Sequence, residues 1–342
     1  MPRRVVVLAF AAILLGSTRV TPAGAARQAL EGHVEAARLL GPGVVSTEDD
    51  EIGGSLSPDG EELYFTRLAP YTTFPRLGVI CVARFVSGRW IPPRVAPFSG
   101  RYLDLPPRFA PDGRRLYFAS SRPLPGSAAR GLRVWSVERV ASGWGEAVPL
   151  GAPVNDPEGS WNLDPSVAAD GTIYFASDRE RRGRFHIYRC RLDGGVAQAA
   201  EKLGPEINTA FDETQPFVSA DGKTLFFAST GLQEPPYASR PEDLNGAGAP
   251  YPRADLYVSR SRDGVWTRAR HLGHGINSVA DEGYPSLTGD GRYLIFSSAR
   301  SRFGLPLPHA LSYADLERDL HSLLNGGGNL YYVSTDVLDL PR

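Results

Sequence analysis

Five positions have the residue type and spacing to do chemistry. Glu51, Asp104, Asn162, Glu213 and Glu282 each stand eight residues before an Asp-Gly pair, at Asp59, Asp112, Asp170, Asp221 and Asp290. Asp50, Asp212 and Asp281 add a second carboxylate directly before three of them, and Arg67, Arg122, Arg179 and Arg300 follow the next apolar run. Two carboxyl groups facing each other across a bond can hydrolyse a glycoside, one protonating the leaving oxygen and the other attacking or activating water. Asp50, Asp104 and either Glu158 or Glu213 are the groups that could form such a pair. Carboxylates gathered at a rigid mouth would also suit Ca2+, which takes about six to eight oxygen ligands. The same residues suit a scaffold equally well, because a carboxylate repeated in every unit can cap a backbone turn or pair with an arginine. Trp161, in "NDPEGSWNLDP", is placed either to stack on a sugar or simply to pack. His271 and His274 have no third ligand or cysteine near them in sequence, and no serine sits in a nucleophile elbow.

The elements that would position these groups are repeats. "SLSPDGEELYF" recurs as "RFAPDGRRLYF", "SVAADGTIYF", "FVSADGKTLFF" and "SLTGDGRYLIF", with the turn aspartates 53, 58, 51 and 69 residues apart. Asp-Gly between alternating apolar runs marks a hairpin, since glycine accepts the positive φ a tight turn needs. A third strand follows in each unit ("GVICVARF", "LRVWSVERV", "FHIYRCRL", "ADLYVSRS", "NLYYVSTD"), and a fourth appears in "GEAVPLGAPVND", "AEKLGPEINT" and "ARHLGHGINS". Trp90, Trp144 and Trp266 recur just before the fourth strand and are expected to pack between sheets. Four antiparallel strands per unit without intervening helices predict an all-β fold, a single closed β-propeller of four-stranded blades. The repeats count to five blades, with six as the alternative.

"AARLLGPGVVSTEDDE" reads as a fourth strand lacking its first three, and "NLYYVSTDVLDL" as a third strand lacking its fourth, so pairing of the two chain ends closes the ring and covers both sheet edges. Two insertions, 230–254 and 301–328, fall between second and third strands, on the face that receives the acidic residues. The second contains "LSYADLERDLHSLL", which reads as a short amphipathic helix. Cys81 and Cys190 lie on third strands of non-adjacent blades, too far apart to pair, and are expected to be buried thiols.

With Ser57-Pro58-Asp59-Gly60, Ala110-Pro111-Asp112-Gly113 and Asp281-Glu282-Gly283-Tyr284-Pro285 in view, the chain resembles the TolB-like, WD40-like β-propeller family built on Pro-Asp-Gly repeats. The resemblance covers residues 26–342. It implies the propeller fold, and it leaves function open, because such repeats occur in binding scaffolds, assembly factors and peptidase gating domains.

A formal net charge of -1 and 22% charged residues give no reason to expect nucleic acid or an anionic membrane as partner. Residues 1–25, with "MPRR", the apolar run "VVVLAFAAILLG" and Ala23-Gly24-Ala25, read as a secretory signal peptide too short to span a bilayer. After its removal no membrane span is expected, and the destination is the periplasm or the extracellular space. The function expected is an exported, non-catalytic propeller binding a protein or envelope glycan, with no cofactor, and with Glu51, Asp104, Glu213, Glu282, Arg300 and Trp161 at the ligand site. The alternative is a secreted carbohydrate-active enzyme using carboxylates at the channel mouth.

Overall fold

A computed structural model describes residues 30, 32–69, 77–124, 131–156, 159–193, 196–231, 253–302, 310–338 and 340. Residues 1–25, Glu158 and most of 230–254 lie outside them. The described chain forms five antiparallel sheets. Blade one is Asp50–Leu56, Glu62–Leu68, Gly78–Val86 and Arg89–Val95; blade two is Arg108–Phe109, Arg115–Ser120, Arg133–Val140 and Val148–Pro149. Blade three is Asn162–Val167, Thr172–Arg181, Arg184–Asp193 and Glu201–Lys202; blade four is Glu213–Val218, Thr224–Ser229, Asp255–Arg262 and Arg270–His271. Blade five takes Glu282–Leu287, Tyr293–Ser298 and Asn329–Ser334 from the end of the chain and Arg38–Leu39 from its beginning.

This exchange closes the ring as the sequence led us to expect. Arg38 pairs with Tyr332 and Leu39 with Tyr331. The preceding residues tighten the seam: Val34 N donates to Ser334 Oγ at 2.8 Å, Tyr293 Oη donates to the Gly32 carbonyl at 2.7 Å, and Leu30 and Val34 are buried.

Five apolar clusters hold the blades together, each between two neighbours. The repeated "LYF" of the second strand supplies them by the two-residue period of a strand. Leu63 and Phe65 face blade five while Tyr64 faces blade two; Ile173 and Phe175 face blade two while Tyr174 faces blade four. A strand buried on both faces in this way reads as a continuous apolar run. The tryptophans do pack between sheets: Trp144 Nε1 of blade two donates to Tyr64 Oη of blade one at 2.8 Å, and Trp266 of blade four meets the Tyr174 ring of blade three edge-on at 6.0 Å.

The Asp-Gly turns differ in one respect from a two-residue hairpin. Each spans four residues, closed by the glycine N–H: Gly60 to Ser57 O, Gly113 to Ala110 O, Gly171 to Ala168 O, Gly222 to Ser219 O and Gly291 to Thr288 O. Only the glycine takes positive φ, from 69° to 85°, so the fixed φ of Pro58 and Pro111 suits the second position. The aspartate accepts the N–H two residues on, as Asp59 Oδ1 does from Glu61 at 3.1 Å.

The loops after the fourth strands lock to the third strands through one recurring side chain. Asn155, Asn208 and Asn277 each accept from and donate to the backbone of Val134, Ile187 and Leu256, and Ser46 does the same for Leu330. In the second insertion helix α1, Tyr313–Leu320, forms where an amphipathic helix was expected, with a capping box between Ser312 and Asp315.

Candidate functional site

The five repeated positions sit at the start of the innermost strands, and their side chains turn into their own blades. Glu51, Asp104, Asn162 and Glu213 are fully buried and Glu282 nearly so. Thr47 donates to Glu51 through its N–H at 2.8 Å and its hydroxyl at 2.5 Å, and Arg67 Nη2 adds a bond at 2.9 Å. Glu213 takes the same pair from Thr209, and Glu282 takes it from Ser278. Asp104 accepts from Ser99 and Ser120 at 2.6 Å each and from Arg122 at 2.9 Å. Asn162 accepts from Arg179 at 3.1 Å. Burial lifts the Glu51, Asp104 and Glu282 carboxyls above their ordinary range, opposed by these donors.

The arginines are held just as firmly. Arg122, Arg179 and Arg300 lie over the rings of Phe118, Tyr188 and Tyr331 at 4.9, 4.7 and 5.1 Å and donate to the carbonyls of Phe98, Val154 and Ile276. Blade four has Gly231 where an arginine would stand, and there His186 Nδ1 approaches Glu213 at 3.2 Å. The expectation that the acids and Arg300 line the channel mouth therefore meets a different arrangement, in which these side chains are paired inside their blades and Glu282 also borders a cavity there. The physical reason is the cost of leaving buried carboxylates unpaired, which the hydroxyls and guanidinium groups remove. Among the described residues no three Asp, Glu, His or Cys side chains come together to hold a metal ion. Trp161 is 46% exposed, donates its backbone N–H to Asp178 Oδ1 at 2.8 Å, and lies beside Gly131.

The residues that do reach the axis are the ones that break the repeat. Two places after each ring residue stand Gly53, Pro106, Asp164, Gln215 and Tyr284; four places after stand Ser55, Arg108, Ser166, Phe217 and Ser286. The innermost strands of blades one, three, four and five bulge here, and Asp164, Gln215 and Tyr284 adopt left-handed backbone with φ of 52°, 56° and 52°. Gln215 N donates to Asp164 Oδ2 at 3.3 Å, and Tyr284 N donates to Gln215 Oε1 at 2.8 Å, linking three blades in sequence. Arg108 of blade two donates to the Gly54 carbonyl of neighbouring blade one at 3.0 Å and faces the Phe217 ring of blade four at 5.9 Å. Burial pushes the Arg108 guanidinium down to about 10, against the charge of Asp164 in neighbouring blade three. It pushes the Asp164 carboxyl up to about 6, opposed by the charge of Arg108 and the Gln215 N–H, and Oδ1 has no hydrogen-bond partner among the described residues. Sequence reasoning missed this layer. Its signal was available as variation at two fixed offsets inside an otherwise regular repeat.

On the loop-bearing side of this layer lies a cleft of about 280 Å³ among blades one, four and five. Asp50, Gln215, Asp281, Glu282 and Tyr284 line it together with Gly326–Gly328. Asp50 Oδ1 accepts the Gly328 N–H at 2.9 Å, and a Cβ on Gly328 would come within 2.5 Å of that oxygen, so the close approach requires glycine. Helix α1 anchors beside the cleft, where His321 Nδ1 meets Glu48 at 3.1 Å and Asn325 Nδ2 donates to the Glu48 carbonyl at 2.8 Å.

The sequence matches no protein-family model and no curated protein. Among solved structures it is similar to a prolyl endopeptidase (13% identity, TM-score 0.37, covering 72% of this chain and 30% of the other). It is similar also to an oligogalacturonate lyase from Vibrio parahaemolyticus (13%, 0.39, 84% and 66%) and to the periplasmic gluconolactonase of Pseudomonas aeruginosa (16%, 0.38, 72% and 64%). This chain thus spans less than two thirds of each of these proteins.

Proposed function

We propose that the chain is an exported, non-catalytic propeller of the TolB-like type that holds a protein or cell-envelope ligand on its loop-bearing face. One observation carries this reading. Residues repeated from blade to blade are consumed inside the blades, while those that differ, Gln215 and Tyr284 with Asp164 beside them, are held on the axis in left-handed backbone next to the cleft. Such backbone costs about 1–3 kcal/mol per residue and persists where the surroundings enforce it, which is characteristic of ligand sites. Helix α1 supports a macromolecular partner: Tyr313, Leu316 and Leu320, spaced three and four residues apart, are exposed beside the cleft. A glycosidase pair drawn from Asp104 and Glu213 is disfavoured, because both are buried among their own donors.

The test is thermal unfolding of the chain from residue 26 against envelope oligosaccharides and divalent cations, beside a Tyr284→Asn variant. Asparagine tolerates left-handed backbone, so the variant keeps the fold. A ligand at a hundredfold excess over its Kd raises stability by about 2.7 kcal/mol. Stabilisation of the wild type that Tyr284→Asn abolishes supports a site at the cleft. New glycan ends generated by the wild type would overturn the non-catalytic reading.

A further inference from the structure

The channel has a second cavity, on the face of the Asp-Gly turns. Its volume is about 350 Å³, within the range of small-ligand sites, about 300–1,000 Å³. All five blades build its wall from one repeat position, three residues before the turn aspartate: Leu56, Phe109, Val167, Val218 and Leu287. Phe217 adds a further aromatic ring. Among the described residues, the charged ones lining it are Asp221 and Asp290. Each uses Oδ1 within its own turn: Asp221 accepts from Ser219 Oγ at 2.5 Å and Lys223 N at 3.0 Å, and Asp290 from Thr288 Oγ1 at 2.6 Å and Arg292 N at 3.1 Å. The turns leave Oδ2 of both unused. Lys223 and Arg260 lie near Asp221, and Arg108 faces the Phe217 ring at 5.9 Å, all three outside the cavity wall.

An apolar wall with aromatic faces and two carboxylates, and no basic group in the lining, suits one kind of ligand. The apolar body gains from leaving water, and its positive group gains from the carboxylates and the ring face. We infer that the turn-side cavity is a second binding site, for a small organic cation: an aromatic or aliphatic body carrying an ammonium or guanidinium group. That chemistry is found both in a free amine and in an arginine-bearing end of a polypeptide. The site shares no lining residue with the loop-side cleft, so either can fail without the other.

The experiment is calorimetric titration of the chain from residue 26 with phenethylammonium, with phenethyl alcohol as its uncharged counterpart, and with a short peptide ending in Phe-Arg. The variants are the double change Asp221→Asn with Asp290→Asn, and separately Phe217→Leu. Asn-Gly preserves a turn of this kind and its Oδ1 acceptor, so the double variant retains its fold, which its melting curve verifies. The ammonium compound is expected to bind about tenfold or more tighter than the alcohol and to lose about tenfold in the double variant, with a smaller loss in Phe217→Leu. Tyr284→Asn leaves it unchanged. Tighter binding of the peptide than of the free amine assigns the polypeptide source, and the reverse assigns the small molecule. No heat with either cation, equal binding of amine and alcohol, or affinity unchanged in both variants would overturn the proposal.

Discussion

Replacing Asp164 by asparagine should stabilise this protein at neutral pH. Asp164 is buried on the axis; among the described residues one carboxylate oxygen has no hydrogen-bond partner and the other accepts from Gln215 N at 3.3 Å. Its carboxyl moves from 3.8 to about 6, with burial as the main cause and Arg108 and the Gln215 N–H opposing it. The folded state therefore holds the proton more tightly than the unfolded state does. Stability is greatest below the unfolded value, falls as pH rises from about 3.8 to about 6, and levels off above that window. A shift of roughly two units at about 1.36 kcal/mol each sets a ceiling near 3 kcal/mol on the cost of ionisation at neutral pH. The asparagine amide would carry no charge, keep an acceptor for Gln215 N and tolerate the left-handed backbone. We expect a gain of about 2–3 kcal/mol near neutrality, vanishing below about pH 4. Urea unfolding at both pH values, with unchanged slope, measures it. If Asp164→Asn is less stable than the wild type at neutral pH, attraction between Asp164 and Arg108 outweighs desolvation, and the axis is held by an ion pair instead.

Other outcomes follow from the same physics. Glu51→Ala leaves Thr47 and Arg67 without their acceptor and should cost about 2–3 kcal/mol in chemical denaturation. Phe175→Ala opens a cavity between blades two and three and should cost about 3–5 kcal/mol by the same assay. Deleting residues 30–40 removes the fourth strand of blade five and exposes the edge of Asn329–Ser334; aggregation on gel filtration is expected in place of the wild-type peak. Cys81 and Cys190 are buried and unpaired, and burial pushes the Cys190 thiol up to about 11. A thiol reagent should label neither in the folded protein and both in denaturant.

How much was legible in the sequence depended on the range of the interaction. The Pro-Asp-Gly turns, the two-residue period of "LYF", the recurring tryptophans and the complementary chain ends are local patterns, and each unit repeats the same solution. Blade architecture, ring closure and helix α1 are therefore legible in the residues alone. The acidic positions were legible as well, but not their environment. A carboxylate in a list of residues does not reveal that Thr47, Ser99 or Ser278 will turn toward it, because those partners come from loops whose path is set by packing. The lumen was least legible. Arg108, Asp164, Phe217 and Tyr284 belong to four blades and are distant along the chain; they face one another only because the ring closes. By itself the sequence determined the blade, since alternation, turn chemistry and strand pairing are settled within some fifty residues. Only the tertiary structure decided which charges are spent inside a blade and which meet on the axis, because burial and long-range proximity exist only once the five sheets have assembled.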